Sequence, residues 1–209
     1  MNFSLEQYLD RLNSPSSAVL EELYRDTWLH TMCPHMASSP LQSKFLAFIC
    51  KLLQPLRILE IGTFTAYATI TMAEATLAKA EIITIEANEE YEPLIHTYLK
   101  KSGFENKVKL IIGDAKKILP NLQGLFDLIF LDADKVSYPE YYVTLKQLLR
   151  KGGLLVADNT LWSMKVIDEK ITDRETAAIR LFNQLAASDK EMEQLILPLR
   201  DGISLIRKK

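Results

Sequence analysis

With 209 residues, 48% of them apolar and 25% charged, the chain is long enough for one large domain with a proper hydrophobic core. Its net charge of −2 provides no general basic field, which argues against a nucleic-acid-binding protein. No apolar run approaches the roughly 20 residues of a membrane helix, residues 1–11 do not form a secretory signal, and two cysteines favour a reduced compartment, so we expect a cytoplasmic protein that does not bind membranes.

Three helices are predicted near the N-terminus, over residues 3–12, 16–31 and 41–53. Pro15 and the serines that follow it favour a turn and the start of the second helix. Apolar residues recur at helical spacing in the third, and Pro55 ends it. We interpret residues 1–54 as an N-terminal helical cap on a single domain that spans residues 1–209.

After the cap, strand-like and helix-like segments alternate. Strands are predicted at residues 57–61, 81–85, 108–112, 125–131 and 154–157. Helices are predicted between them at residues 66–77, 89–101, 114–119 and 138–150, the last ended by Gly152 and Gly153. This alternation is typical of a mostly parallel sheet with helices on both faces.

The C-terminal region departs from this alternation. Residues 160–172 show no clear period and are interpreted as a loop that could cover a ligand crevice. One more helix is predicted at 173–188, followed by strands at 193–197 and 203–206 that would form an antiparallel hairpin. The predicted fold class is therefore α/β, a Rossmann-like doubly wound sheet of seven strands, mostly parallel, with a C-terminal antiparallel hairpin and helices on both faces.

Acidic residues follow two of the predicted parallel strands. The segment Asp132-Ala133-Asp134-Lys135 comes directly after one strand, and Asp158-Asn159 ends the next. In an open parallel sheet the carboxyl ends of the strands face the ligand crevice. The oxygen atoms collected there suit Mg²⁺ or Ca²⁺ better than a soft metal.

The turn after the first strand contains a single glycine, Gly62, between Glu60 and Thr63. A dinucleotide-binding turn uses three glycines in the pattern G-x-G-x-x-G, so the single glycine argues against a nicotinamide cofactor. A ligand without a pyrophosphate needs less room at this turn. An ordinary strand-to-helix turn, eased by one glycine, is equally compatible with the residues.

Two further strands also end in acidic residues. Glu86 could accept hydrogen bonds from both hydroxyls of a ribose, while Asn88 already provides the cap of the helix that follows. Asp114 could reach the exocyclic amine of an adenine or could only cap its own helix. The two roles of Asp114 are compatible, because a carboxylate has several acceptor positions.

The order of these motifs resembles the metal-dependent class I S-adenosylmethionine O-methyltransferases. The segments that carry the resemblance are Glu60-Ile61-Gly62, Glu86, Gly113-Asp114-Ala115, Asp132-Ala133-Asp134-Lys135 and Asp158-Asn159-Thr160-Leu161-Trp162. They are similar to those of the catechol and caffeoyl-CoA O-methyltransferase group, especially its small bacterial members. The resemblance runs from about Trp28 to the C-terminus and includes the closing hairpin.

The resemblance implies a role for each matching residue. The divalent metal would be bound by Asp132, Asp158 and Asn159. Lys135 and Asp132 would be catalytic, and Lys135 and Trp162 would contact a small phenolic substrate. The remaining residues would surround S-adenosylmethionine: Met36, Glu60, Gly62, Thr63, Tyr67, Glu86, Asp114, Ala115, Asp132 and Asp134. Relatives are often homodimers, so we also expect pairing of two subunits.

The implied chemistry is the transfer of a methyl group to an oxygen atom. A neutral phenol, with a pKa near ~10, is a poor nucleophile, and a bound divalent cation lowers the pKa of an oxygen that it contacts. Lys135, if neutral, could accept the proton. Ala66 and Met164 stand where relatives commonly have glycine, and Gln42-Ser43 stands where they often have Gln-Gly or Glu-Gly. A nicotinamide-dependent oxidoreductase and a non-catalytic cofactor-binding homologue remain alternatives.

Overall fold

The computed structural model describes residues 5–209, so residues 3 and 4 of the first predicted helix lie outside the described part. Within it, the α-helices are α1 (Leu5–Leu12), α2 (Ala18–His30), α3 (Pro40–Leu53), α4 (Tyr67–Glu74), α5 (Glu92–Ser102), α6 (Ala115–Ile118), α7 (Tyr138–Leu148) and α8 (Arg174–Ser188). Short 3₁₀ turns occupy, among others, residues 89–91, 119–121 and 165–167. No helix in residues 5–209 is both long and apolar enough to span a membrane.

The strands form one seven-stranded sheet in the order β3-β2-β1-β4-β5-β7-β6. They are β1 (Arg57–Ile61), β2 (Glu81–Glu86), β3 (Val108–Ile112), β4 (Phe126–Leu131), β5 (Leu149–Asp158), β6 (Met192–Leu197) and β7 (Ile203–Lys208). Strands β1 to β5 are parallel, and β7 pairs antiparallel with both β5 and β6. The predicted fold class is confirmed, and the strand order reverses between β1 and β4, where such sheets bind ligands.

The sheet separates two hydrophobic cores. Ile58, Leu128 and Val156 point to one side and pack with buried residues of α2 to α5. Their chain neighbours, such as Leu59 and Ile129, point to the other side and pack with α6 to α8. Because side chains alternate along a strand, the continuous apolar strands of this chain supply both cores at once.

Helix α2 belongs to the first core. Leu23 is fully buried there, and the ring of Tyr24 lies 5.6 Å from that of Tyr67 at the start of α4. Thr27 Oγ1 lies 2.9 Å from Thr65 Oγ1 in the turn before α4. Helix α2 therefore packs on the turn between β1 and α4 and stabilises it. Its amphipathic pattern alone did not reveal this role.

The boundary between α7 and β5 differs from the prediction. The helix ends at Leu148 and the strand starts at Leu149, so Gly152 and Gly153 lie inside β5 and do not stop a helix. Phe126 pairs with Leu149 and Leu128 with Leu154, so the extra residues of β5 bulge out. Glycine supplies the positive φ of 75° at residue 152 that this bulge needs.

The turn between β1 and α4 is strained. Phe64 and Ala66 have φ values of 51° and 71°, in the left-handed region that glycine adopts without penalty. Ala66 is fully buried at the N-cap of α4. Glycine would adopt this conformation without penalty, whereas the alanine costs this chain about 1 kcal/mol in strain.

We predict that Ala66→Gly leaves the free energy of unfolding unchanged or raises it by up to about 1 kcal/mol, because relief of the left-handed strain offsets the loss of a buried methyl group. Ala73→Gly is the matched control, since Ala73 is equally buried but lies in α4; it should lose about 1 kcal/mol or more. Urea unfolding of both variants measures the difference. Equal destabilisation by the two substitutions would show that residue 66 is not strained.

Candidate active site

Acidic residues from neighbouring strands converge at the carboxyl edge of the sheet. Asp132 follows β4, and its backbone N–H donates to the carbonyl of Ile61 at the end of β1 (2.9 Å). Asp158, which is buried, ends β5 beside it. Burial and the nearby charge of Asp132 raise the pKa of Asp158 above its ordinary value. The two carboxylates are therefore close enough to repel each other.

Gly62 makes this convergence possible. A Cβ atom at residue 62 would lie 1.9 Å from the backbone oxygen of Asp132, and its φ of 95° also favours glycine. The sequence suggested that this glycine lets a ligand approach the backbone. In the structure it is the end of β4 that approaches, so Gly62 is required by the packing of the two strand ends.

Glu60 lies at the base of this turn and is completely buried. Its Oε2 atom accepts hydrogen bonds from Thr69 and from Thr84 (2.6 Å), and Thr84 lies 2.5 Å from the hydroxyl of Thr63. Its Oε1 atom is buried without a hydrogen-bond partner among the described residues. Burial raises the pKa of Glu60 to about 8, although the two hydroxyl donors oppose that shift.

Glu86 connects the ends of β1 and β2. Its Oε2 accepts from the backbone N–H of Phe64 (2.7 Å), and its Oε1 accepts from that of Asn88 (2.8 Å). The side chain of Asn88 in turn caps the following 3₁₀ turn at Glu90 N (3.0 Å), as predicted. Each carboxylate oxygen has a second lone pair, so Glu86 could still accept hydrogen bonds from a ribose.

The other predicted cofactor residues lie in different surroundings. Asp114 is exposed and caps α6 next to the buried Ala115. Asp134 accepts from Ser137 N (3.1 Å) and Tyr141 Oη (3.2 Å), and Met36 is exposed on a 3₁₀ turn. Tyr67 is buried at the start of α4, and its ring lies 5.6 Å from that of Tyr24 of α2.

Lys135 is buried between two oxygen atoms. Its Nζ atom lies 2.9 Å from Asp132 Oδ1 and 2.8 Å from the hydroxyl of Tyr138. Burial opposes the charge, but Asp132 and Tyr138 outweigh it and raise the pKa of Lys135. The neutral lysine considered from the sequence is therefore disfavoured in this arrangement, because the ammonium group has an anionic partner within hydrogen-bond distance.

Three residues of the site were missed by the sequence analysis. The hydroxyl of Tyr138 lies 3.0 Å from the carbonyl of Asp158 as well as beside Lys135. Gln42 Nε2 donates to Asp158 Oδ2, and Arg200 donates to Gln42 Oε1 (3.1 Å). The spacing of Tyr138 from Lys135 was a usable signal. Gln42 was noted only within the pair Gln42-Ser43, because its separation of 116 residues from Asp158 concealed the contact.

The donor set fits a hard divalent cation. Asp132, Asp158 and Asn159 offer two carboxylates and one amide, which are the oxygen donors that Mg²⁺ and Ca²⁺ prefer. Among the side chains that the structure describes, no group of three or more His, Cys, Asp or Glu could hold a metal, so no third carboxylate joins this set. Trp162 is half-buried next to this set, and its indole N–H has no partner among the described residues.

Two cavities lie away from the site. One, of about 590 Å³, lies between the end of α4 and the start of β2 and is lined by Thr76, Glu81 and Lys107 among others. The other, of about 390 Å³, lies between the end of α2 and the start of α5, beside Tyr91. Neither cavity is lined by a predicted metal or cofactor residue. The candidate site is therefore identified by its acidic side chains and by their position at the carboxyl edge of the sheet.

Comparisons with known proteins agree with the motifs. A family model described as O-methyltransferase matches residues 11–209. A catechol O-methyltransferase from Niastella koreensis is 36% identical over 82% of both chains, and a caffeoyl-CoA O-methyltransferase from Stellaria longipes is 32% identical over 98% of this chain and 90% of its own.

A similar solved structure is the O-methyltransferase TomG from Streptomyces achromogenes, in complex with S-adenosylmethionine. It superimposes with a TM-score of 0.91 at 28% identity and covers 97% of this chain and 94% of its own. These matches confirm the resemblance found from the motifs: the chain belongs to the O-methyltransferase family, among the catechol and caffeoyl-CoA type.

Proposed function

We propose that the protein transfers the methyl group of S-adenosylmethionine to one hydroxyl of a small catechol-like or other vicinal-hydroxyl phenol, with the help of Mg²⁺ or Ca²⁺. The observation that carries this proposal is the convergence of Asp132 and buried Asp158 at adjacent strand ends, close enough for one charge to raise the pKa of the other. A divalent cation held by these residues and Asn159 would offset that repulsion.

The reaction needs an anionic oxygen nucleophile. Once the phenol has lost its proton to solvent water, its oxygen bonds to the methyl carbon while the carbon–sulfur bond breaks and the electron pair stays on sulfur, which leaves a methyl ether and S-adenosylhomocysteine. The divalent cation, when bound, supplies the electrostatic help that lowers the pKa of a phenol oxygen in contact with it. The protein's own contribution is to hold the reacting atoms in line, which accounts for several kcal/mol of the barrier.

Lys135 and Asp132 are the proposed catalytic residues. The charged ammonium group of Lys135, held by Asp132 and Tyr138, is suited to stabilise a phenolate oxygen next to Asp132. Trp162 is the proposed wall of the substrate pocket. Its half-buried ring supplies an apolar surface against which an aromatic acceptor could pack.

The acidic strand ends also support the proposed cofactor. S-adenosylmethionine carries a sulfonium and an ammonium group, and the free Oε1 atom of Glu60 is an acceptor without a partner. Glu86 retains lone pairs for the ribose hydroxyls, and Asp114 retains acceptor capacity for the adenine amine. A nicotinamide cofactor has no comparable support, because its pyrophosphate would need the glycines that this turn lacks.

Three parts of the proposal rest on the resemblance and composition. They are a cytoplasmic location, the absence of nucleic-acid or membrane partners, and a homodimer. Exposed apolar side chains such as Phe48 and Leu52 on α3 offer a surface on which two copies could pair. Light scattering of the purified protein decides the oligomeric state.

The first prediction concerns the cofactor. S-adenosylmethionine at a hundred times its dissociation constant should stabilise the protein by about 2.7 kcal/mol, seen as a higher melting temperature. NADH at the same concentration should have no effect. Stabilisation by NADH alone would favour the oxidoreductase alternative, whereas binding of S-adenosylmethionine with no methyl transfer to a broad panel of phenols would favour the non-catalytic one.

The second prediction concerns the metal. With S-adenosylmethionine, Mg²⁺ and a catechol, the protein should form a methyl ether, and a chelator should abolish the product. Asp158→Asn should lower the rate roughly a hundredfold and weaken Mg²⁺ binding measured by calorimetry, because one anionic ligand is lost. Asp173→Asn is the control: it makes the same change at an exposed helix cap that asparagine can also provide. Full activity of Asp158→Asn would refute the metal assignment.

The third prediction concerns pH. The pKa of Glu60 rises from 4.5 in the unfolded chain to about 8 in the folded protein. Between these values the unfolded chain releases a proton that the folded protein keeps, so this contribution to stability is lost as pH rises. Glu60→Gln does not titrate. Relative to wild type, its free energy of unfolding should improve by roughly 3–5 kcal/mol between about pH 5 and about pH 8.

Denaturant unfolding across this pH range measures the gap between the two proteins. Glu105→Gln, at an exposed position, is the control and should follow wild type at every pH. If Glu60→Gln also stayed parallel to wild type, Glu60 would have to be ionised in the folded protein.

A further inference from the structure

The loop between β5 and α8, residues 160–172, has a backbone conformation that needs support. We refer to it as the acceptor loop. Trp162, Ser163 and Met164 have φ values of 46°, 52° and 61°, and Asn159 just before the loop has 59°. Consecutive left-handed residues that are not glycine are disfavoured and persist only where surrounding contacts impose them.

One side of the acceptor loop is held by the turn of the C-terminal hairpin. Leu161 N donates to the carbonyl of Asp201 (2.9 Å), and Thr160 N donates to that of Gly202 (3.0 Å). Ser163 N donates to the carboxylate of Asp201. These contacts fix only the first part of the loop, up to residue 163.

The remainder of the loop is organised around one side chain, Arg180 of α8. Its guanidinium donates to four backbone carbonyl groups of the loop: Val166 (2.9 Å), Ile171 (2.6 Å), Lys165 (2.9 Å) and Asp168. Charged donors make stronger hydrogen bonds than neutral ones, and the rigid fork of arginine can satisfy several acceptors at once. Four carbonyl groups of the loop therefore surround the guanidinium group of Arg180.

Arg180 makes no ion pair with a carboxylate among the described residues, so its charge is directed entirely at the loop. The segment that it holds is continuous with the left-handed run that contains Trp162, since Lys165 N donates to the carbonyl of Trp162 (2.9 Å). Asn159 precedes the same run. Loss of the Arg180 hydrogen bonds would therefore alter the backbone conformation at Trp162 and at Asn159.

We propose that Arg180 is the positioning residue of the acceptor loop: it imposes the conformation that places Trp162 against the methyl acceptor, so it controls acceptor affinity and selectivity but not cofactor binding. The claim that Arg180 controls acceptor affinity rests on the proposed function. The claim that Arg180 holds the loop in its conformation does not, because it concerns only contacts within the protein.

The structural test uses limited digestion with trypsin, which cleaves after the exposed Lys165 and Lys170. Loss of the four hydrogen bonds should speed cleavage in the loop by about tenfold in Arg180→Ala. Arg174→Ala is the matched control, because Arg174 lies on the same helix, is exposed, and has no described hydrogen bond or ion pair among residues 5–209. Because Arg174→Ala also removes a trypsin site, only cleavage after Lys165 and Lys170 is compared, and its rate should match that of wild type.

Fluorescence provides a second structural readout. The chain has two tryptophans, so Trp28→Phe leaves Trp162 as the only one. In that background Arg180→Ala should expose Trp162 and shift its emission to longer wavelength. Arg180→Lys covers the case in which the alanine variant does not fold. It keeps the charge and the aliphatic stem, yet one ammonium group cannot reach four carbonyl groups, so the same loop exposure is expected.

The kinetic test compares acceptor and cofactor. Arg180→Lys should raise the KM for a catechol about tenfold while the dissociation constant of S-adenosylmethionine changes by less than about twofold. Adding Met164→Gly should restore part of the loss, because glycine adopts the left-handed conformation without strain and the loop then needs less external support. A residue that acted only on global stability would instead weaken acceptor and S-adenosylmethionine binding alike.

The outcomes separate the two proposals. Wild type that methylates no phenol contradicts the proposed function, while trypsin and fluorescence still decide the role of Arg180. If Arg180→Lys and Arg174→Ala match wild type in digestion and emission, the assignment of Arg180 is overturned. It is also overturned if S-adenosylmethionine binding falls as much as acceptor binding.

Discussion

The concentration of acidic side chains at one edge of the sheet is the constraint on which this structure depends. Four of the acidic side chains at the ends of the parallel strands are each compensated differently: Glu60 by threonine hydroxyls, Glu86 by backbone N–H groups, Asp132 by Lys135 and Asp158 by Gln42. The compensation is incomplete for Glu60 and Asp158, whose pKa values are raised. Such incomplete compensation of buried charge is typical of sites prepared for a charged ligand.

The compensating groups come from distant parts of the chain. Gln42 lies on an N-terminal helix, and Arg200, which holds Gln42, lies in the turn of the C-terminal hairpin. The helical cap and the hairpin therefore do more than cover the parallel sheet. They hold one proposed metal ligand in a single orientation, which is what a preorganised site requires.

Backbone strain is stored at two places beside the site, the turn before α4 and the loop after β5. At each, a residue other than glycine adopts a left-handed conformation, namely Ala66 and Met164. The first is covered by α2 and the second is held by Asp201 and Arg180. Tertiary contacts thus replace the conformational freedom of glycine at both positions.

The sequence by itself determined the alternation of strands and helices, the doubly wound sheet and the positions of the acidic strand ends. Apolar periodicity and the residue after each strand are local signals, and so are the motifs that identified the family. Only the tertiary structure decided that Gly152 and Gly153 form a bulge, that Gly62 accommodates the end of β4, that Lys135 lies between Asp132 and Tyr138, and that Arg180 holds the acceptor loop. Each of these four features depends on contacts between separate elements of the chain. Such contacts form only in the folded protein, so a local sequence pattern alone does not determine them.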